Sequence, residues 1–150
     1  MKKLHSKTIN PSVRELLSYA TSENAIDREY EKYISETNRH LYSWEVNGEA
    51  IGCMGIEFIN EDHCEIKHIA VSPAARGNGV GRKMIDFICD EYSFELISAE
   101  TDKDAVEFYR SYGFKITSLG EKYPGVERFL CELKSTYFLN EFTNSRQGGG

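Results

Sequence analysis

The chain has 150 residues, a length at which a single domain can bury a hydrophobic core of ordinary size. Its 18 basic and 24 acidic residues give a net charge of −6, which argues against nucleic acid or an anionic membrane as a partner. No apolar run approaches the ~20 residues that a membrane span needs. No apolar segment follows Lys2 and Lys3 to make a signal peptide, so we predict a cytoplasmic protein.

The cysteines show no pattern of a metal site or of disulfide pairing. Cys53, Cys64, Cys89 and Cys131 lie far apart, without a Cys-x-x-Cys pair. Only His63, Cys64 and His68 form a cluster with metal-like chemistry, and their spacing is not that of a zinc site. We therefore predict reduced thiols and no bound metal.

Two helices are predicted before the first long strand. Asn10 followed by Pro11 is typical of a helix start, with asparagine as the N-cap and proline at the first helical position. Apolar residues at helical spacing follow at Val13, Leu16, Leu17 and Ala20 in the first helix and at Ile26, Tyr30, Tyr33 and Ile34 in the second. The second helix is rich in acidic residues.

The central part of the chain predicts three antiparallel strands in a meander. Residues 42–46 alternate between apolar and polar, and Asn47-Gly48 is a strong hairpin signal. The return strand should cover 50–59, and after a turn at 60–62 a third strand should cover 63–71. Each of these strands is joined to the next by a short turn.

The remaining elements predict a mixed α/β fold. A helix should start within the glycine loop at 77–81, followed by a strand at 94–99, a short helix ended by Gly113, and a hairpin of 114–119 with 126–133. A strand, helix, strand order implies a parallel pair. The expected fold is a mixed, mostly antiparallel sheet with one splayed parallel pair, flanked by about four helices.

The loop Arg76-Gly77-Asn78-Gly79-Val80-Gly81 has the character of a phosphate site. Glycines let backbone amides converge, and a helix that starts there adds the positive end of its dipole. Arg76, Arg82 and Lys83 add positive charge. The alternative is a flexible turn before a helix. The spacing does not fit a dinucleotide fold, and the P-loop Gly-Lys-Ser/Thr is absent.

The strand before this loop shows an irregular apolar pattern. Its large apolar residues are Ile66, Ile69 and Val71, so alternation slips by one position. A β-bulge between Ile66 and Ile69 would explain the slip. Such a bulge would splay the strand from its parallel neighbour and free backbone groups to bind an extended ligand.

With these motifs the chain resembles the GNAT family of acetyl-CoA-dependent N-acetyltransferases. Residues 76–81 fit the family's Arg/Gln-x-x-Gly-x-Gly/Ala pyrophosphate loop, and Ile69-Ala70-Val71-Ser72-Pro73 fits the strand end before it. The segment 105–114 fits the second motif, a helix tyrosine followed by a Gly-Phe pair. The resemblance covers about residues 1–133, and 134–150 would be a C-terminal extension, with an edge strand or partner contact around 137–142 and then a flexible tail.

The resemblance implies a role for each matching residue. Backbone groups of Ile69, Ala70 and Val71 would bind pantetheine, and the pyrophosphate would be held by Arg76, Gly77, Asn78, Gly79, Val80 and Gly81, with Arg82 beside them. Tyr109 would be the general acid that protonates the CoA thiolate, and Glu65 the general base. Asp102 stands where many members use asparagine to bond pantetheine, and an ionised aspartate accepts but cannot donate.

The reaction needs a base because an amine with a pKa near ~10.4 is almost fully protonated at pH 7. Glu65 could take that proton directly or through water, and positioned proton transfer contributes about 10²–10⁴-fold. The competing interpretations are structural. Glu65 could be a solvent-facing strand carboxylate and Tyr109 a core aromatic, while Tyr112 is assigned to packing.

Two functions from different classes remain open. The first is acetyl transfer from acetyl-CoA to a primary amine, and the second is a non-catalytic acyl-CoA-binding module that signals to a protein partner. In proteins of this family the first two helices and the loop around Tyr123 border the acceptor, so the acidic second helix suggests a cationic small-molecule or peptide amine. Solubility alone would also explain that charge. A homodimer is left open.

Overall fold

The computed structural model describes residues 1–135, which form a mixed α/β fold. The elements in chain order are β1 Lys2–Lys3, α1 Pro11–Ser18, α2 Ile26–Ser35, β2 Arg39–Val46, β3 Glu49–Asn60, β4 His63–Val71, α3 Val80–Glu91, β5 Leu96–Asp102, α4 Val106–Tyr112, β6 Lys115–Tyr123 and β7 Val126–Lys134. The strand order is β1-β2-β3-β4-β5-β7-β6, mostly antiparallel with one parallel pair. The predicted fold class is therefore confirmed.

The described residues group into two compact units. One consists of residues 1–59 and 66–92, and the other of residues 60–65 and those from 93 onward. The segment predicted around 137–142 lies outside the described residues. Among residues 1–135, no helix has the length and apolar character to cross a membrane.

Helix α1 in the first unit starts as the sequence predicts. The side chain of Asn10 accepts a hydrogen bond from the amide of Ser12 at 2.9 Å, and Pro11 occupies the first turn. The inner faces of α1 and α2 pack in one cluster with buried residues of β2, β3 and β4, namely Leu41, Ala50, Cys53 and Ala70. This cluster forms the core on one face of these strands.

Helix α3 covers the other face of β3. A Cβ atom on Gly52 would lie 3.0 Å from Val80 Cγ1 and 3.2 Å from Met84 Cε, so the helix and the strand approach closely at this glycine. Gly52 and Cys53 are neighbours in β3, and neighbouring strand residues point to opposite faces. The residues of α3 that follow the glycine loop therefore pack against β3 at Gly52.

The β2–β3 hairpin has the predicted turn. Asn47 and Gly48 both have positive φ, 53° and 80°, as a two-residue type I′ turn requires. Strand β1, which pairs with Tyr42 and Ser43 of β2, was not predicted because two lysines carry no apolar alternation. The register of β2 with β3 shifts between Trp44 and Glu45.

The apolar slip in β4 follows from the burial of the polar His68 and the small Ala70. Burial alternates along the whole strand, with Cys64, Ile66, His68 and Ala70 buried and the residues between them half-buried. His68 and Ala70 occupy inward positions, so the large residue Ile69 belongs to the other set. The inward set does not shift between 66 and 69, so burial explains the apolar pattern, and the bulge stays a prediction.

The second unit is built around β7. This strand pairs antiparallel with β5 on one side and with β6 on the other. The predicted hairpin is present, with Gly125 at φ 77°, but β6 runs to Tyr123 and β5 covers 96–102 rather than 94–99. The carbonyl of Asp62 accepts the amides of Glu95 and Leu96 at 2.7 and 3.0 Å, which holds the start of β5 beside the turn leading into β4.

Candidate active site

The glycine loop has a backbone that only glycine adopts without strain. Gly77 and Gly79 have φ of 85° and 77°, in the left-handed region. A Cβ atom built at either position would meet no other atom within 4 Å. The protein's own packing therefore does not demand glycine here. The positive φ values demand glycine instead, and the space above the loop is open.

Helix α3 begins directly from this loop without a side-chain cap. Gly79 is the N-cap residue, and no side chain accepts a hydrogen bond from the first turn. The amides of Val80 and Gly81 have no acceptor within the helix, because the first intrahelical bond runs from Lys83 to Gly79 at 2.9 Å. The Asn78 side chain instead donates to the carbonyl of Ala75 at 3.1 Å, which braces the loop. Such an uncapped helix start attracts an anion.

Arg76 is held at two points. Its Nε donates to the carbonyl of Val71 at 3.0 Å, and its guanidinium carbon lies 5.3 Å from the centre of the Tyr19 ring. Arg82 and Lys83 are exposed on the first turn of α3. Positive charge thus surrounds the loop, as the sequence predicts. The carbonyl of Val71 already accepts a hydrogen bond from Arg76.

The strand residues assigned to pantetheine lie at the end of β4. Ile69 and Val71 are half-buried, while Ala70 is buried in the core cluster with α1 and α2. These residues and the loop all belong to the first unit. Glu65, Asp102 and Tyr109 belong to the second.

Tyr109 lies on the buried face of α4. The residue is 4% exposed, and its ring packs edge-on against Phe108 and Phe114, with 5.2 Å between ring centres in each pair. Burial raises the pKa of the phenol, and the neighbouring Cys131 acts in the same direction. The side chain is therefore both a core aromatic and a phenol that keeps its proton, so the two sequence interpretations are not exclusive.

The two carboxylates have different surroundings. Glu65 is half-buried in β4, two residues after His63, whose Nε2 shares a hydrogen bond of 2.7 Å with the hydroxyl of Ser98. Asp102 Oδ1 accepts the amides of Asp104 and Ala105 at 3.0 and 3.2 Å. This oxygen of Asp102 therefore fixes the turn before α4.

A buried polar network in the first unit was not predicted. Arg39 is 9% exposed and lies over the Tyr33 ring, 5.6 Å from its centre. It pairs with Glu29 at 3.0 Å and with Glu36 and Glu57 at 3.5 Å. The Tyr33 hydroxyl shares a hydrogen bond of 2.6 Å with Nδ1 of His68. A histidine at an inward strand position was the one sequence signal for this network.

Gly55 makes room for the Tyr33 hydroxyl. A Cβ atom at position 55 would lie 2.0 Å from that oxygen, so the glycine is required by close approach rather than by its φ. The network therefore joins α2 through Tyr33 to the middle of β4, one residue before Ile69.

The His68 network should make stability depend on pH. Burial lowers the pKa of His68, followed by the charges of Arg39 and Lys67, while Glu29 acts in the opposite direction. The unfolded state then binds the proton first as pH falls, so folding stability is present above the unfolded pKa of 6.5 and is lost below it. We expect wild type to lose more unfolding free energy than His68→Gln between about pH 7.5 and pH 5.5, measured by urea denaturation. Equal losses would contradict this account. Burial also lowers the pKa of His40, but its titration is common to both proteins.

The structure gives all four cysteines as free thiols, three of them buried and Cys89 half-buried. Burial raises the pKa of Cys53 to about 12, so this thiol is unreactive at neutral pH. Within the described part of the chain, no group of three His, Cys, Asp or Glu side chains could hold a metal ion.

Comparisons with known proteins identify the family. The model of the acetyltransferase (GNAT) family matches residues 10–114. An uncharacterised N-acetyltransferase in the lysA 3′ region of Bacillus methanolicus is 30% identical over 107 residues, which is 69% of this chain and 89% of the relative. The chain therefore belongs to the GNAT family, and its activity is acetyl transfer from acetyl-CoA.

Solved structures share the fold at low sequence identity. A GNAT family acetyltransferase from Elizabethkingia anophelis with acetyl-CoA bound has a TM-score of 0.68 and 21% identity, over 88% of this chain and 95% of that chain. An aminoglycoside 6′-N-acetyltransferase complexed with coenzyme A has a TM-score of 0.73 and 16% identity, over 89% of this chain and 97% of that chain.

Proposed function

We propose that the chain transfers the acetyl group of acetyl-CoA directly to a primary amine, with the loop at 76–81 as the pyrophosphate site. The observation that carries this proposal is the loop itself: left-handed glycines under open space, followed by an uncapped helix start. Backbone amides and the dipole of α3 suit a diphosphate, and glycine leaves no side chain in its path. Ile69, Ala70 and Val71 are proposed to lend backbone groups to pantetheine.

The transfer forms one bond and breaks another. The amine nitrogen attacks the thioester carbonyl, the new C–N bond replaces the C–S bond, and the electron pair leaves on the CoA sulfur. Starting from a protonated amine, two protons must leave the nitrogen, one before the attack and one as the amide forms, while one proton must reach the sulfur and one is released. At pH 7 only about one in a thousand lysine-like amines carries a free lone pair, so removal of the first proton is essential.

Tyr109 is the proposed donor of the proton that reaches the sulfur. Burial keeps its phenol protonated, as an acid requires. A phenol would ordinarily be a weak donor to a thiolate, because the thiol is the stronger acid by about 1.5 pKa units. The neighbouring Cys131, however, has its pKa raised to about 11 by burial. Burial raises the pKa of the Tyr109 phenol as well, so it does not reverse this order of acidity, and the support for Tyr109 is the proton that it keeps.

Glu65 is the proposed base, acting directly or through water. Its half-buried position on β4 supports the proposal, because it combines contact with solvent and a fixed strand backbone. Asp102 is not proposed as the pantetheine donor, because an ionised carboxylate only accepts hydrogen bonds and its Oδ1 accepts two backbone amides. A cytoplasmic location and a homodimer remain predictions.

The acceptor is proposed to be a cationic amine, on a weaker basis than the sequence alone suggested. Several acids of the second helix form ion pairs within the first unit: Asp27 pairs with Arg14, and Glu29 and Glu36 share Arg39. Glu23 and Glu31 are exposed, and they keep the outer surface of this helix negative. The related fold of an aminoglycoside acetyltransferase is compatible with such an acceptor.

The acceptor class is tested by kcat/KM for a polyamine, an aminoglycoside, a lysine peptide and a neutral aromatic amine, each at low and high salt. A cationic substrate should have the highest kcat/KM, and its advantage should shrink as salt screens the negative charge of the second helix. A neutral amine as the best substrate, with kinetics independent of salt, would refute the cationic acceptor and leave acetyl transfer standing.

A further inference from the structure

Tyr19 stands at the end of α1 with its ring on the surface. It is the C-cap residue of the helix, with its amide bonded to the carbonyl of Leu16 at 3.1 Å, and it is 46% exposed. Its hydroxyl donates to Glu15 Oε1 at 3.2 Å, one turn back along the helix. The backbone and the hydroxyl thus hold the ring in one orientation, although its surface is not buried by the core.

Arg76 lies on this ring. The guanidinium carbon is 5.3 Å from the ring centre, within the range of a cation–π contact. The Nε–H is used by the carbonyl of Val71 at 3.0 Å. Of the five guanidinium donors, the four on the Nη atoms remain for other partners, and they form the planar fork that binds phosphate oxygens two at a time.

A free arginine side chain loses rotational freedom when it binds a phosphate. Arg76 has already lost much of that freedom, because the end of β4 holds its Nε and Tyr19 supports its plane. The same two contacts attach the first residue of the glycine loop to the end of β4 and to the end of α1. Tyr19 therefore bears on how well Arg76 binds an anion, without having to touch the anion.

We propose that Tyr19 is a positioning residue for the acetyl-CoA pyrophosphate, acting as the platform that pre-organises Arg76. The proposal rests on the proposed function, because it assumes that the loop at 76–81 takes the pyrophosphate. An aromatic ring is what the platform requires. The Tyr19 hydroxyl only steadies the ring through Glu15, so phenylalanine should replace tyrosine with little loss.

A double-mutant cycle tests this role, with the Kd of acetyl-CoA measured by calorimetry and the kinetics by thiol release. Tyr19→Leu should weaken binding about three- to tenfold, the size of an exposed cation–π contact plus part of the ordering cost. It should raise the KM of acetyl-CoA and leave kcat at saturation unchanged, because it does not touch the reacting atoms. Tyr19→Phe should stay within about twofold of wild type.

The decisive comparison uses Arg76→Ala as the background. There Tyr19→Leu should have no further effect on the Kd, since the arginine that it supports is gone. The same loss in both backgrounds, or no loss in either, would overturn the positioning role. If wild type fails to bind acetyl-CoA, the proposed function fails. If wild type binds and Gly79→Val weakens binding while Tyr19→Leu does not, only the role of Tyr19 fails.

Discussion

Replacing Tyr109 by phenylalanine should lower kcat by about 10²-fold or more, while the Kd of acetyl-CoA changes little. The ring keeps its packing on Phe108 and Phe114, so the fold and the cofactor site are preserved. Only the hydroxyl group, with the proton that it holds, is removed. Single-turnover kinetics with saturating acetyl-CoA and amine would separate this loss from binding.

Tyr112→Phe is the matched control for this substitution. Tyr112 lies on the same helix and also stacks edge-on against Phe114, at 5.6 Å, but it is assigned to packing. Its variant should retain wild-type turnover. Because burial raises the pKa of Tyr109, wild-type kcat should show no loss from this group up to about pH 10. Wild-type turnover in Tyr109→Phe would mean that solvent or another group is the acid.

Gly79→Val should weaken acetyl-CoA binding roughly 5- to 100-fold, the second large effect. A β-branched residue in the left-handed region costs of order 1–3 kcal/mol, which the loop can avoid only by leaving the conformation that aims its amides at one point. The valine side chain would also enter the open space above Gly79, where the diphosphate is proposed to lie. Calorimetric titration with acetyl-CoA measures the loss.

Gly48→Val separates backbone strain from loss of the site. Gly48 has a similar φ of 80° and equally open surroundings, but it lies in the β2–β3 turn. Both variants should lower thermal stability, whereas only Gly79→Val should weaken binding. Unchanged affinity in a folded Gly79→Val protein would remove the loop from the account of cofactor binding.

Features that depend on local chemistry could be predicted from the sequence. The cap at Asn10, the type I′ turn at Asn47-Gly48 and the end of α4 at Gly113 each depend on a few neighbouring residues, and each is present. The glycine loop could be found for the same reason, because its positive φ values restrict the residue type. Both GNAT motifs are local in this sense.

Features that depend on contacts between residues distant in sequence could not be predicted. The position of β7 between β5 and β6 follows from pairing choices that no single segment specifies. The inward position of His68 was not predicted, because a histidine is not expected in a core and its partner Tyr33 is 35 positions away. The proposed role of Tyr19 could not be predicted either, since it depends on the contact between its ring and Arg76.

The most direct test of acetyl transfer is the stoichiometry between thiol release and amine acetylation in one reaction. Purified protein is incubated with acetyl-CoA and each amine of the panel. Free CoA thiol is measured with a colorimetric assay, and acetylation of the amine is measured by mass spectrometry. Our account predicts amine-dependent thiol release, with one acetylated amine for each CoA released and a strong reduction in Tyr109→Phe. Tight binding of acetyl-CoA without any amine-dependent release would contradict it and favour the non-catalytic acyl-CoA-binding module.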